Sequence, residues 1–304
     1  MTNDKERRYI MKEITMEKLM EEFEIYLGNK AEKTKKLYVE NMRQFDFSDL
    51  PTKRHIARKT NEWLDKGLSY NTVLARYSAL KKFLHTFSRY FDAEDVQDMI
   101  SYMGELKGYT PETVYAKPEQ VERIINAAEH REALAVALMF YMGMRISDVI
   151  ALRMDQFKRD KAGNVFLKYR DKKTKKLHEV QLFENVGLLY HLYVFGQREK
   201  IIGNWKPNQN ILSEDDKYLF VGQKGRLVVR WMQKKVKELC VYCGFPELHC
   251  HSFRHGCGTA YAKAGASANV IQKVLGHANM NTSMRYIHLA EKDVFDVGRE
   301  VFGV

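Results

Sequence analysis

A histidine and an arginine stand three residues apart, at His251 and Arg254. On a helix this spacing places both side chains on one face, where they can address one phosphate group together. A guanidinium fork can hold two phosphoryl oxygens, and an imidazole can move a proton near neutral pH. Such pairs also arise by chance on many helices. The pair therefore predicts phosphate chemistry only if other residues complete the site.

A second arginine, Arg145, follows an almost wholly apolar stretch at residues 133–144. A guanidinium between two core elements is costly unless an anion satisfies it. Two anions fit the sequence. One is a bound phosphate, and the other is Asp148, which would make Arg145 merely structural.

The third motif contains Gly276 and His277 and is followed by Tyr286. Gly276 predicts the end of one helix, and Asn281 or Thr282 predicts the N-cap of the next. Tyr286 then lies about one turn into that helix. One interpretation is that Tyr286 is a nucleophile and that His277 donates a hydrogen bond to the phosphate that Tyr286 attacks. The alternative is an ordinary amphipathic-helix tyrosine beside a capping histidine.

Taken in order, these motifs resemble those of the tyrosine recombinases, the family that includes phage integrases, Cre and the Xer dimer-resolution enzymes. The family pattern is Gly-Leu-Arg-x-Ser-Glu, a lysine in a β-hairpin, His-x-x-Arg-His, Leu-Gly-His and a tyrosine. This chain carries the counterparts in the same order, at 143–148, 172–176, 251–255, 275–277 and 286. The ordered set is far more specific than any single motif, and the resemblance covers residues 13–304.

The resemblance implies that the Tyr286 hydroxyl attacks a DNA phosphodiester. A 3′-phosphotyrosine link and a free 5′-hydroxyl result, and the 5′-hydroxyl of a partner strand reverses the step. Arg145 and Arg254 would stabilise the growing charge, with a hydrogen bond from His277. His251 would help to manage the tyrosine proton. No cofactor, metal or ATP is implied.

The general acid for the leaving 5′-oxygen is implied to be a lysine of the hairpin turn, which offers Lys172, Lys173, Lys175 and Lys176. The family's Lys-Thr pattern best matches residues 173–174, so Lys173 is predicted. Lys172 and Lys175 are predicted to contact DNA.

Departures from the family pattern are modest. Met144 replaces the usual leucine, and Asp148 replaces the frequent glutamate. Residues 256–258 read Gly-Cys-Gly where bulkier residues are common, and we expect this to loosen the helix. None of these changes removes a catalytic group.

The composition fits a protein that binds a polyanion. Lys and Arg number 50 against 39 Asp and Glu, a formal net charge of +11 over 304 residues. An apolar fraction of 45% excludes global disorder and suffices for two domains. No apolar stretch suits a membrane span and the N-terminus does not resemble a signal peptide. We therefore expect a cytoplasmic, nucleoid-associated protein with no membrane partner and with reduced cysteines.

Apolar residues recur at helical spacing within 19–27, 37–45 and 74–87, which predicts several short helices. The third segment also carries a row of basic residues. These basic residues either form the solvent-exposed face of an amphipathic helix or place the helix against DNA phosphates. The residues expected to lie against DNA phosphates are Arg76, Lys81 and Lys82.

We predict a mainly α, two-domain DNA clamp. The resemblance implies that the helices at 13–105 form a core-binding domain of the SAM-like helical fold. A linker follows at 106–116, where Gly and Pro interrupt the pattern. A mostly helical catalytic domain with a small antiparallel β-sheet follows at 117–304. Alternating residues at 165–169 and 178–182 predict two strands of that sheet.

Two other interpretations compete. Cys240 and Cys243, with the Cys and His residues at 249–257, have a spacing loosely suited to structural zinc. His251 could then not be catalytic, and the protein would be a basic, zinc-stabilised DNA-binding module. Alternatively, 267–288 is a helix-turn-helix and the protein a repressor. The second interpretation leaves Arg145 and the His-x-x-Arg pair unexplained.

The predicted partners are double-stranded DNA recombination sites and further copies of the chain. The resemblance implies that the C-terminal segment docks onto a neighbouring protomer in a tetramer on two duplexes; packing within one chain is the alternative. Its apolar residues are Val294, Phe295, Val297, Val301 and Phe302. An accessory protein, the target sequence and the task (integration, excision, dimer resolution or inversion) stay open.

Overall fold

The computed structural model describes residues 15–48, 50–106, 113–205, 211 and 214–290. The chain divides into two compact units, residues 1–111 and residues 112–304. Both are mostly helical, as predicted. No helix in the described ranges is long and apolar enough to cross a membrane.

Helices form the described part of the N-terminal unit. They are α1 (Met16–Tyr26), α2 (Glu32–Arg43), α3 (Lys53–Asp65), α4 (Tyr70–Thr86) and α5 (Ala93–Glu105), with 3₁₀ turns at Leu27–Asn29 and Ser88–Tyr90. The hydroxyl oxygen of Ser69 accepts a hydrogen bond from the Thr72 amide and caps α4. Helix α5 runs through Gly104 and ends at Glu105.

Aromatic side chains fill the core of the N-terminal unit. The ring of Phe23 meets that of Phe83 edge-on at 5.4 Å, and Phe83 lies 5.0 Å from Phe87. All three are buried. They occur at helical spacing in the sequence because one face of each helix turns towards this core.

The C-terminal unit combines helices with two small sheets. Its helices are α6 (Pro118–Ala127), α7 (His130–Phe140), α8 (Ile146–Val149), α9 (Glu184–Leu192), α10 (Glu199–Gly203), α11 (Val229–Tyr242), α12 (Cys250–Lys263), α13 (Ala268–Leu275) and α14 (Asn281–Ala290). A π-helical turn spans Tyr193–Arg198, and 3₁₀ turns span Met154–Gln156 and Asp215–Lys217. The strands are β1 (Phe157–Arg159), β2 (Val165–Arg170), β3 (Leu177–Gln181), β4 (Val221–Gly222) and β5 (Gly225–Arg226).

Helix α7 is the central helix of this unit, because every residue from 132 to 140 is buried. It packs against α6, α9 and α12. The chain then turns at Gly143, whose φ of 62° lies in the left-handed region. A Cβ there would lie 2.7 Å from a Leu275 side-chain atom, so a residue with a side chain would also collide with Leu275.

The first sheet has the order β1-β2-β3 and is antiparallel. The two strands predicted from alternation are its β2 and β3, paired with Leu167 opposite Val180. Strand β1 was not expected, since its three residues are too few to show a pattern. The turn between β2 and β3 carries the four lysines.

The expected loosening of the helix at 256–258 is wrong. Helix α12 runs without interruption through these residues. A Cβ at Gly256 would collide with the carbonyl oxygen of Ala116, and one at Gly258 would lie 2.8 Å from the ring of Tyr286. Glycine at both positions lets neighbouring elements approach the helix backbone closely.

Candidate active site

Arg254 lies at the centre of the site. Its guanidinium is buried, with Nη1 donating to the Gly143 carbonyl oxygen and Nη2 donating to that of Leu275, both at 2.5 Å. Burial lowers its pKa, but an arginine remains protonated in proteins. Its two hydrogen-bond partners are neutral carbonyls, so they fix the guanidinium in place without forming an ion pair with it.

Arg145, at the N-terminus of α8, has carboxylate partners. Its guanidinium is hydrogen-bonded to Asp171 and lies 3.9 Å from Asp148. Both aspartates are buried. Burial raises the pKa of Asp148, whereas amide donors and the charge of Arg145 outweigh burial and lower that of Asp171. The predicted Asp148 partner is therefore present, but Asp171 is the closer one.

Asp171 also shapes the lysine-rich turn. Its Oδ1 accepts hydrogen bonds from the amides of Lys173 at 2.7 Å and Thr174 at 2.8 Å. The side chain of Lys173 is exposed. Lys176 reaches back instead, with Nζ 3.4 Å from the carbonyl oxygen of His277. One buried carboxylate thus joins Arg145 to the turn that carries the predicted general acid.

His277 lies immediately after the left-handed residue Gly276, which ends α13 as predicted. Its Nδ1 lies 2.8 Å from the hydroxyl oxygen of Ser283, and both side chains are buried. Burial and the positive charges of Arg254 and Arg145 lower the pKa of His277 to about 4. The imidazole is therefore neutral at pH 7. When Nδ1 accepts from Ser283, Nε2 carries the proton and can donate to an oxyanion.

Tyr286 is only 1% exposed, and its ring lies parallel to that of His277 at 6.0 Å. Burial raises the pKa of its phenol, although the charges of Arg254 and Arg285 act in the opposite direction. The phenol is therefore protonated at neutral pH and needs a proton acceptor when it attacks. Helix α14 starts at Asn281, whose amide donates to the Asn279 side chain at 2.9 Å.

The Tyr286 hydroxyl is in hydrogen-bond contact with His255 of α12. Its Nδ1 lies 2.8 Å from that oxygen. His251, one turn earlier on α12, is exposed, and among the described hydrogen bonds none joins it to Tyr286. Its ring lies 6.3 Å from that of His255. Burial and neighbouring charges lower the pKa of His251.

A continuous series of contacts therefore links most of the predicted residues. Arg145 meets Asp171, which holds the amide of Lys173. Arg254 donates to the carbonyl oxygens of Gly143 and Leu275. Gly143 is two residues from Arg145, and Leu275 is two residues from His277. The rings of His277 and Tyr286 lie parallel to each other. The motifs are far apart in sequence and close in the fold.

Two of the three N-terminal basic residues predicted to contact DNA, Arg76 and Lys82, have partners within their own unit. The guanidinium of Arg76 lies 4.2 Å over the ring of Trp63 and donates to Gln44. Lys82 donates to the hydroxyl of Tyr26 at 3.0 Å. Lys81 is half-buried. On the turn of the C-terminal unit, Lys172 and Lys175 are exposed.

The described structure gives little support to the zinc-site interpretation or to the helix-turn-helix repressor interpretation. Across the residues with described positions, no three His, Cys, Asp or Glu side chains are grouped to hold a metal ion. Helices α13 and α14 with their turn do have a helix-turn-helix order, but Tyr286 on the second helix is buried. The C-terminal apolar residues of the predicted docking segment lie outside the described residues.

Asp171, Ser283 and His255 were not predicted as site residues. Asp171 begins the lysine turn, and a carboxylate before a turn is a recognisable local signal. His255 is the last residue of the His-x-x-Arg-His motif, so the motif contains it but gives it no role. Ser283 gives no sequence signal, because its contact with His277 depends on how α14 packs.

Comparison with known proteins matches residues 115–293 to the model of the phage integrase family. A tyrosine recombinase of Thermosipho africanus is 24% identical over 302 residues, covering 94% of this chain and all of the relative. Tyrosine recombinase XerC of Staphylococcus epidermidis is also 24% identical, covering 92% of this chain and 95% of the relative. The Tn1549 transposon integrase, solved in complex with transposon right end DNA, shares the fold, with a TM-score of 0.70 and 18% identity over 95% of this chain and 99% of the other.

Proposed function

This chain belongs to the phage integrase family and is a tyrosine recombinase, an enzyme of site-specific DNA recombination, and we propose that Tyr286 is its nucleophile. The phenol oxygen attacks a phosphodiester, forms a 3′-phosphotyrosyl link and releases a 5′-hydroxyl. Attack by the 5′-hydroxyl of a partner strand then rejoins the DNA. The observation that carries the proposal is the placement of the Tyr286 ring beside His277, close to the buried guanidinium of Arg254, which donates hydrogen bonds to neutral carbonyls.

Arg254 and Arg145 bind the non-bridging oxygens in this proposal. Negative charge on these oxygens grows in the transition state, and preorganised donors stabilise it without having to reorganise. Arg254 is held by two carbonyls and Arg145 by Asp171, so both forks are fixed before DNA arrives. Nε2 of His277, set by Ser283, donates a further hydrogen bond. His251, which the resemblance implied would manage the tyrosine proton, is exposed on α12, the helix of Arg254, and is proposed to contact the bound phosphate.

Lys173 is the proposed general acid for the leaving 5′-oxygen. Its backbone is fixed by Asp171, while its ammonium is exposed and free to follow the DNA strand. A proton on the leaving oxygen lowers the barrier because an alkoxide is a poor leaving group. The energy of the broken bond is kept in the phosphotyrosyl link. No step of the proposal therefore needs ATP or a cofactor.

Substrate DNA is proposed to be double-stranded and to contact basic residues in each unit. The residues are Arg76, Lys81 and Lys82 of α4 and Lys172 and Lys175 of the turn. Such phosphate contacts make binding strongly dependent on salt. Integration, excision and dimer resolution all use this chemistry.

Covalent capture tests the proposal on DNA whose target sequence has not been identified. The protein is incubated in chelator with fragmented DNA of its source genome and denatured, and DNA bound to protein is recovered. We expect adducts from the wild type and none from Tyr286→Phe, which loses only the nucleophilic oxygen and should still bind DNA. Adducts in Tyr286→Phe would overturn the assignment. A tyrosine recombinase of known site serves as the positive control for the trap.

A further inference from the structure

The hydroxyl of Tyr286 faces a histidine that the family motif leaves without an assigned role. His255, on α12, places Nδ1 2.8 Å from that oxygen. His255 is itself half-buried, and its ring centre lies 5.9 Å from that of Tyr286. A catalytic base must be within hydrogen-bond reach of the proton it takes, and His255 meets this condition before substrate binds.

The same helix also fixes the ring that carries the hydroxyl. A methyl group at Gly258 would lie 2.8 Å from Cε1 and 2.9 Å from Cζ of Tyr286. Only a glycine lets the ring lie so close to the helix backbone. One turn of α12 therefore sets both the position of the ring, through Gly258, and the direction of the hydroxyl, through His255.

The surroundings keep His255 neutral before reaction. Burial, the charge of Arg285 on α14, and the charges of His251, Arg254 and His249 lower its pKa to about 4. In the tautomer with the proton on Nε2, Nδ1 presents a lone pair to the phenol. Burial also holds the Tyr286 phenol in its protonated form. A full transfer in the resting protein is therefore unfavourable, and the proton moves only as the phenol oxygen bonds to phosphorus.

We propose that His255 is a catalytic residue that accepts the Tyr286 proton during strand cleavage and returns it during rejoining. This inference rests on the proposed function. In cleavage the bond between Tyr286 Oη and phosphorus forms and the bond from phosphorus to the 5′-oxygen breaks. The phenol proton passes to Nδ1 of His255, and the 5′-oxygen takes a proton from Lys173. Rejoining runs each transfer in reverse.

The test uses single-turnover cleavage of a nicked duplex that carries the sequence recovered by covalent capture. His255→Asn places an amide oxygen near the position of Nδ1, so it can accept a hydrogen bond but not a proton. We expect cleavage to slow by roughly 10²-fold or more, the usual contribution of general-base catalysis, with DNA affinity changed less than about twofold. Cleavage within about threefold of wild type would overturn the proposal.

A fluorinated tyrosine at position 286 separates proton transfer from a structural effect. Its phenol has a lower pKa and depends less on a base. We expect it to restore cleavage in His255→Asn by roughly tenfold or more and to change the wild-type rate little. His251→Asn is the matched variant from the same helix. Rescue of His251→Asn, with none of His255→Asn, would show that His251 is the acceptor.

Gly258→Ala provides a second test if His255→Asn does not fold. The added methyl displaces the Tyr286 ring from α12 and the hydroxyl from His255, so cleavage should slow while DNA binding stays. Unchanged cleavage in a folded Gly258→Ala protein would show that close packing of the Tyr286 ring on Gly258 is not needed for proton transfer to His255, which contradicts the proposal. A wild-type protein that forms no Tyr286-dependent adduct would instead overturn the proposed function, and this assignment with it.

Discussion

The two sides of the active site are built differently. On one side, Arg254, His277 and Tyr286 are buried, and each has a fixed partner from another element of the fold. On the other side, the turn between β2 and β3 presents exposed lysine side chains on a backbone fixed by Asp171. The buried side is therefore organised in the protein alone, whereas in the proposed mechanism the exposed side chain of Lys173 takes its final position against the DNA strand.

The largest effect short of removing the nucleophile is expected at the buried arginine. Arg254→Lys replaces a planar fork, whose two terminal nitrogens each donate to a different carbonyl, by a single ammonium nitrogen that cannot occupy both positions. We expect the single-turnover cleavage rate to fall about 10³-fold, the upper end of the loss for one oxyanion donor. Arg145→Lys should lose less, because its ammonium can still pair with Asp171. Near-wild-type rates in both variants would mean that the two arginines are structural.

A smaller loss is expected from the exposed turn. Lys173→Ala should slow cleavage roughly 10²-fold, and a substrate with sulfur in place of the leaving 5′-oxygen should restore it, since a thiolate leaves without a proton. Lys168→Ala on β2, an exposed lysine paired with Glu179, serves as the neutral control. Restoration by sulfur in Lys176→Ala, with none in Lys173→Ala, would move the general acid to Lys176.

The smallest effect concerns stability on the buried side. The pKa of His277 and of His255 is about 4 in the fold and 6.5 in the unfolded chain. Between these values the unfolded chain binds more protons, so both residues stabilise the fold above pH 6.5 and this contribution is lost as the pH falls towards 4. Asp148, with a raised pKa, acts in the opposite direction.

Thermal unfolding at pH 7 and pH 5 measures this linkage. The Tm of the wild type should fall more between these pH values than that of the double variant His255→Asn, His277→Asn. The change in free energy of unfolding between the two pH values should differ between the two proteins by on the order of a few kcal/mol, since each of the two histidines costs about 1.4 kcal/mol per pH unit below pH 6.5. Equal slopes in the two proteins would show that the buried histidines are solvated enough to titrate normally.

Local signals explain what could be predicted from sequence. Alternation predicts β2 and β3, and Gly276 marks the end of α13, because both depend on residues close in the chain. The order of motifs identifies the family. The contacts of Asp171 with Arg145 and of His255 with Tyr286 join residues 26 and 31 positions apart. Their geometry follows from tertiary packing, which no local pattern encodes.

The glycines of α12 show the same limit. In sequence, Gly256 and Gly258 indicate a weak helix, because glycine is a poor helix former. In the fold, the missing side chains admit the Ala116 carbonyl and the Tyr286 ring. Helix propensity alone therefore gives the wrong expectation, because packing on both positions outweighs it.

The most direct test of the account is to map the DNA-linked residue. The covalent adduct is trimmed with nuclease and digested with trypsin, which cleaves after Arg285, and the peptide that carries the nucleotide is sequenced by mass spectrometry. The account predicts the nucleotide on Tyr286, in the peptide of residues 286–292, joined through a 3′-phosphate, with a 5′-hydroxyl on the other DNA end. A nucleotide on any other residue, or one joined through a 5′-phosphate, would contradict it.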